Sequence, residues 1–166
     1  MPDRKSRSSA ARASEAARES DALRGGCLCG DVRFEIDEVY DAGYCHCSIC
    51  RRSSGAPAVA WANLPSRAFR LVAGETRAFA SSENWVRHFC PRCGAPVFQQ
   101  VPDPPDDGSD PLCILIGSLD DPNAIRPTAH IWCSARLPSF EFDDDLPCFE
   151  EGELTAPEKR GPARSR

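Results

Sequence analysis

The sequence lacks the features that mark several large protein classes. No apolar run approaches the ~18 residues of a membrane-spanning helix, so no membrane association is expected. Residues 1–23 contain no apolar h-region, so no secretory signal is read there. That stretch is rich in Arg, Ser and Ala, as transit peptides are. Asp3, Glu15, Glu19 and Asp21 interrupt it, however, and transit peptides are poor in acids. A cytoplasmic location is therefore expected. A basic face is missing as well. Residues 25–150 carry net −8, while the two ends carry +2 (1–24) and +1 (151–166), within a whole-chain charge of −5. Nucleic-acid binders show the opposite balance, so nucleic acid is not an expected partner, and the basic ends read as solvated tails. There is no convincing long helical period and no internal repeat beyond a C-x-C doublet.

What remains is a series of short extended runs cut by Gly and Pro. In D-V-R-F-E-I-D-E (Asp31–Glu38), Val32, Phe34 and Ile36 alternate with charged residues, the pattern of a half-buried strand. Pro57–Asn63, Trp85–Phe89, Pro96–Val101 and Ala129–Cys133 also read as strands. Ala68–Val72 and Thr76–Ala80 flank a hairpin-like break at Ala73-Gly74-Glu75, and Leu112–Leu119 reads as one buried strand. Ser48–Arg52 suits one helical turn, ended by Ser53-Ser54-Gly55. Pro102–Pro111 is a Pro- and Asp-rich surface loop. Together these give an all-β domain over residues 24–151, with disordered tails at 1–23 and 152–166.

The ten cysteines carry the chemistry. With no export signal, clustered cysteines point to metal ligands rather than a disulfide framework. Tyr44–Arg52 reads Y-C-H-C-S-I-C-R-R and places Cys45, Cys47 and Cys50 in six residues with no local fourth cysteine. Thiolates are soft ligands, and three protein ligands plus one open position is how a zinc site admits water or substrate. Cys27-x-Cys29 and Cys90-x2-Cys93 supply two positions each, enough for a closed structural site. The alternative is that one pair joins the triad and the other is free. Iron also suits thiolate sites of this kind. In an extended C-x-C the middle residue points away, so His46 is expected to face away from the metal of Cys45 and Cys47. Arg51 and Arg52 are candidates to offset thiolate charge or to grip a carboxylate, against the alternative of a solvated helix end. His130, with Trp132 two residues on, is the candidate proton-transfer residue. Cys113, Cys133 and Cys148 lack ligand spacing and are expected to pack in the core.

The ordered set G-G-C-L-C-G-D-V-R-F, Y-C-H-C-S-I-C-R-R-S-S-G, F-C-P-R-C-G-A-P-V-F, G-S-L-D-D-P and H-I-W resembles the glutathione-dependent formaldehyde-activating enzyme family, whose zinc domain centromere protein V shares. The resemblance runs from about Arg24 to Glu151. It implies a β-tent zinc fold with two Zn2+ per chain. Cys27, Cys29, Cys90 and Cys93 would hold structural zinc, and Cys45, Cys47 and Cys50 catalytic zinc. The implied activity is carbon–sulfur lyase chemistry, condensing glutathione with formaldehyde to S-hydroxymethylglutathione in detoxification. By residue chemistry alone, Arg51 or Arg52 is the candidate to hold a glutathione carboxylate, Arg51 to stabilise the developing alkoxide and His130 to transfer a proton. One departure is Leu137-Pro138-Ser139, where members often carry an aromatic residue after the proline. The alternatives are a non-catalytic thiol carrier and a zinc-stabilised interaction module acting through the basic tails.

Overall fold

Alternation along the chain sorts the strands into two sheets with one shared core. The computed structural model describes residues 22–152, apart from 105, 107 and 109. The two expected tails therefore lie almost wholly outside the described residues. Strand β2 (Arg33–Ile36) turns Phe34 and Ile36 inward, both buried. Strand β1 (Leu23–Gly26) pairs antiparallel on one side of it, and β5 (Phe69–Ala73) on the other.

The second sheet has seven strands: β3 (Asp41–Cys45), β4 (Val59–Pro65), β6 (Arg77–Ala80), β7 (Val86–Phe89), β8 (Pro96–Gln100), β9 (Pro111–Leu115) and β10 (His130–Ile131). Their order is β10-β3-β4-β9-β8-β7-β6. All neighbours are antiparallel except β10, which runs parallel to β3. Helix α1 (Ser48–Ser54) joins β3 to β4 and is the single α-helix among the described residues. The fold is all-β. None of the described helices is long and apolar enough to cross a membrane.

Residues two apart on a strand share a face. On β4, Ala62 and Leu64 face the three-stranded sheet. They join Val97, Leu112 and Ile114 of the neighbouring strands against Phe34 and Ile36 in one apolar core. Val59, Trp61 and Asn63 point to the opposite face, and there they border a cavity.

Two strand expectations need correction. Ala73-Gly74-Glu75 is a crossover rather than a hairpin, since β5 pairs with β2 while β6 pairs with β7 in the other sheet. A glycine-bearing break announces a change of direction but not the partner of the strand that follows. Leu112–Leu119 is not one strand either. It leaves the sheet after Leu115, and Ile116–Ser118 forms a 3₁₀ turn with the Ser118 hydroxyl donating to the Leu115 carbonyl. Ile116 and Leu119 stay buried through the turn, so an apolar run outlasts the strand it begins.

Candidate metal centres and the cavity between them and the sheet

Two loops bring the first cysteine set together. Cys27 and Cys29 follow β1, and Cys90 and Cys93 follow β7. Each pair ends in a glycine with left-handed backbone, Gly30 at φ 81° and Gly94 at φ 74°, a conformation that L side chains resist. The Gly30 amide donates to the Cys27 carbonyl at 3.1 Å and the Gly94 amide to the Cys90 carbonyl at 2.9 Å, so each turn folds its two thiols to one side. All four sulfurs lie within 4.8 Å of one another. The Cys27–Cys29 and Cys29–Cys90 separations are 3.5 and 3.7 Å. Four thiolates placed tetrahedrally at the usual Zn–S bond length would stand about 3.8 Å apart, so the set fits a closed zinc site. The Val32 amide donates to the Cys27 sulfur at 3.2 Å. The Ala95 amide, followed by that of Cys29, pushes Cys93 down to about 6. Amide donors aimed at sulfur favour thiolate, the form a metal requires.

The second set occupies the β3–α1 junction. Cys45 ends β3, Cys47 caps the helix, and Cys50 lies in its first turn. The Cys50 amide donates to the Cys47 sulfur at 3.3 Å. Hydrogen bonds from Cys45 and then Cys50 push Cys47 down to about 2, while Cys45 and Cys50 are pushed up as the thiols that share its charge. The three sulfurs again lie within 4.8 Å, and the described residues contribute no fourth ligand to this group. Beside it opens a cavity of about 590 Å³ between the outer face of the seven-stranded sheet, α1 and the segment after β10. Its wall is apolar at Val59, Trp61, Trp85, Phe98, Leu115 and Ile131.

The family model for glutathione-dependent formaldehyde-activating enzymes matches residues 22–135, which contain both cysteine sets and most of the cavity wall. The chain belongs to this family. A curated protein of Halomonas elongata, provisionally named as a glutathione-dependent formaldehyde-activating enzyme, is 35% identical over 86 residues, covering 46% of this chain and 54% of its own. The chain thus spans about half the length of the curated relative it matches. The crystal structure of a Rhodobacter sphaeroides protein is similar over 63% of this chain and 91% of that one, at 26% identity and a TM-score of 0.43.

The remaining candidate residues, His130, Arg51 and Arg52, fall elsewhere. His130 is buried, and its Nδ1 meets His46 Nε2 at 2.9 Å while its Nε2 meets Asp144 at 3.1 Å. Since a carboxylate only accepts, His130 donates from Nε2 and accepts at Nδ1 from the His46 Nε2–H. This chain of two rings and a carboxylate packs on Tyr44 and Phe142, and neither histidine borders the cavity. Arg51 Nε donates to the His46 carbonyl at 3.1 Å, and Arg52 is exposed; neither borders the cavity. These contacts hold the triad loop from behind.

Sequence reasoning missed the polar floor. Asn63, Cys113, Gln99 and Arg87 pair across β4, β9, β8 and β7 and so form one row along the sheet face. Arg87 Nε donates to the Ser81 hydroxyl at 3.1 Å, and its Nη2 reaches the Cys50 sulfur at 3.5 Å. Burial pushes the Cys113 thiol up to about 12, so it remains neutral there. The available signal was the two-residue period in A-V-A-W-A-N and W-V-R-H-F, which puts Val59, Trp61 and Asn63, and separately Trp85 and Arg87, on common faces.

The last wall is Trp132. It is the single non-glycine residue with positive φ among those described, at φ 59° and ψ 43°, an unusual state for a bulky side chain. Its indole covers Gly152, where a Cβ would fall 2.4 Å from the indole nitrogen. One further expectation is corrected next to it. Cys133 and Cys148 do not pack as free core thiols but form a disulfide, with their Cα atoms 6.1 Å apart. The parallel bridge of His130 to Cys148 and the Cys133 amide bond to Phe149 bring them together. Fifteen residues separate them, and no local spacing signals that pairing.

Proposed function

We propose that the protein is a zinc-dependent carbon–sulfur lyase that joins a small thiol, glutathione or a relative, to formaldehyde or another small aldehyde. The observation carrying this reading is a three-thiol set, with no fourth ligand among the described residues, that opens onto a largely apolar cavity. Cys45, Cys47 and Cys50 would hold one Zn2+, and Cys27, Cys29, Cys90 and Cys93 a second. Bound at the triad, zinc would keep a substrate sulfur in its nucleophilic thiolate form.

The chain's own residues supply the rest. Trp61, Trp85, Phe98 and Ile131 give the cavity an apolar wall, which strengthens charge interactions beside it. The thiolate attacks the carbonyl carbon, a C–S bond forms, and the C=O π pair moves to oxygen. The negative charge develops on that oxygen, and the alkoxide takes its proton from water. No carboxylate, imidazole or ammonium group is among the described residues that line the cavity.

That last observation favours a second reading, a thiol carrier that binds without turnover. Following the approach to equilibrium separates the two, since the spontaneous reaction reaches the same endpoint. Acceleration by the wild type supports the lyase. Tight, Cys47-dependent thiol binding without acceleration supports the carrier. The interaction-module reading rests on tails outside the described residues. The sequence assignment of tails at 1–23 and 152–166 and of a cytoplasmic location belongs to this proposal as well.

A further inference from the structure

The cavity contains one charged side chain among its described lining residues, that of Arg87. Among the described residues no carboxylate pairs with it. Its partners are the Ser81 hydroxyl and the Cys50 sulfur. A guanidinium is always charged and presents a planar fork suited to carboxylate. The hydroxyl holds Nε, and Nη1 makes no hydrogen bond within the described chain. Trp61, which lines the same cavity, is 7% exposed and packs in the apolar cluster with Cys45, so that side of the cavity wall is apolar. The guanidinium adjoins the thiol triad through Cys50.

We propose that Arg87 forms an anion subsite beside the triad, and that the substrate class is a thiol carboxylate whose acid group stands a few bonds from its sulfur. This rests on the reading of the triad as a thiol-binding metal centre, and it specifies which thiols that centre prefers. Arg87 takes the carboxylate-binding part that the sequence offered to Arg51 and Arg52, both of which lie outside the cavity wall. The 3.5 Å approach of Nη2 to Cys50 sets the scale, since a ligand with sulfur at the triad meets the fork only if its acid group is close.

The test uses zinc-loaded full-length protein and two probes of matched shape, 3-mercaptopropionate and 3-mercaptopropionamide, titrated by calorimetry with metal content measured on each sample. A charge-assisted hydrogen bond predicts that wild type binds the acid about tenfold or more tightly than the amide. Arg87→Gln should bring the two affinities to within about twofold while still binding the amide, and Arg87→Lys, which keeps charge and loses the fork, should fall between. If Arg87→Gln sheds the second zinc, Arg87→Lys carries the comparison. Wild-type binding of neither probe, or a preference unchanged in both variants, overturns the subsite. An unchanged preference with slowed adduct formation also overturns it and gives the guanidinium to the reacting oxygen. Acceleration assays run in parallel keep the two proposals apart. An Arg87-dependent preference without acceleration leaves the subsite standing and removes the lyase. Normal acceleration without preference does the reverse.

Discussion

Replacing Cys90 by Ala should cost far more stability than replacing Cys47, although each substitution removes one sulfur from a cysteine cluster. Cys90 is fully buried in the main core, where its loop and that of Cys27 and Cys29 meet from distant parts of the chain. Zinc bound by four thiolates contributes about 10–16 kcal/mol of folding free energy in small zinc domains. Losing one ligand of four at even a proportionate share removes roughly 3–4 kcal/mol, against a total stability of about 5–15 kcal/mol. For a domain of this size that lowers Tm by about 10–15 °C. Cys47 is only half-buried, and its structural contribution is the helix cap through the Cys50 amide, worth about 1 kcal/mol. Cys47→Ala should therefore melt within about 5 °C of wild type, retain one zinc, and lose any acceleration of adduct formation. Thermal melts with elemental analysis on the same samples read both effects. A Cys90→Ala protein that melts like wild type would refute the structural assignment, and normal acceleration by folded Cys47→Ala would refute the role given to the triad.

Protein purified without added metal should contain two zinc ions per chain, with a chelator drawing off one faster than the other. A single tightly held ion sinks the two-site assignment. Cys148→Ser opens the short loop closed by the disulfide and should cost about 3 kcal/mol by chain entropy, read as a fall in denaturant midpoint; no shift means the bond does not form in solution. Limited proteolysis should trim residues 1–23 and 152–166 and leave a core that keeps its zinc and its cooperative melt, and loss of either would move the domain boundaries. His130→Ala removes the acceptor for the His46 Nε2–H and leaves Asp144 with the Leu146 amide as its remaining donor, a loss of about 1–3 kcal/mol. It should leave thiol affinity unchanged at temperatures where the variant is folded, whereas an abolished affinity would place His130 in the site after all.

The parts of this molecule legible in the sequence are those whose geometry is local. Cys45, Cys47 and Cys50 are neighbours on one strand end and one helix turn, so backbone periodicity alone converges their sulfurs. The Cys27–Cys29 and Cys90–Cys93 pairs are each local too, and the glycine after each marks the turn. That they meet across 61 residues is tertiary, and chemistry made it inferable, because two half-sites of soft ligands complete one tetrahedron. Arg87 had no such help. Its neighbours on the floor, Gln99, Cys113 and Asn63, come from three other strands, and only strand order makes them adjacent. Arg51 looked the better candidate because it adjoins the triad in sequence. On a helix, however, adjacency in sequence turns a side chain about a third of a turn away, and Arg51 reaches back to the His46 carbonyl. The Cys133–Cys148 bond escaped for the same reason, since a parallel bridge to the chain end sets it, and the compartment argument pointed the other way. A cavity wall assembled from four strands is therefore read from register, which brings Arg87 to the Cys50 sulfur, and not from the motif that holds the cysteines.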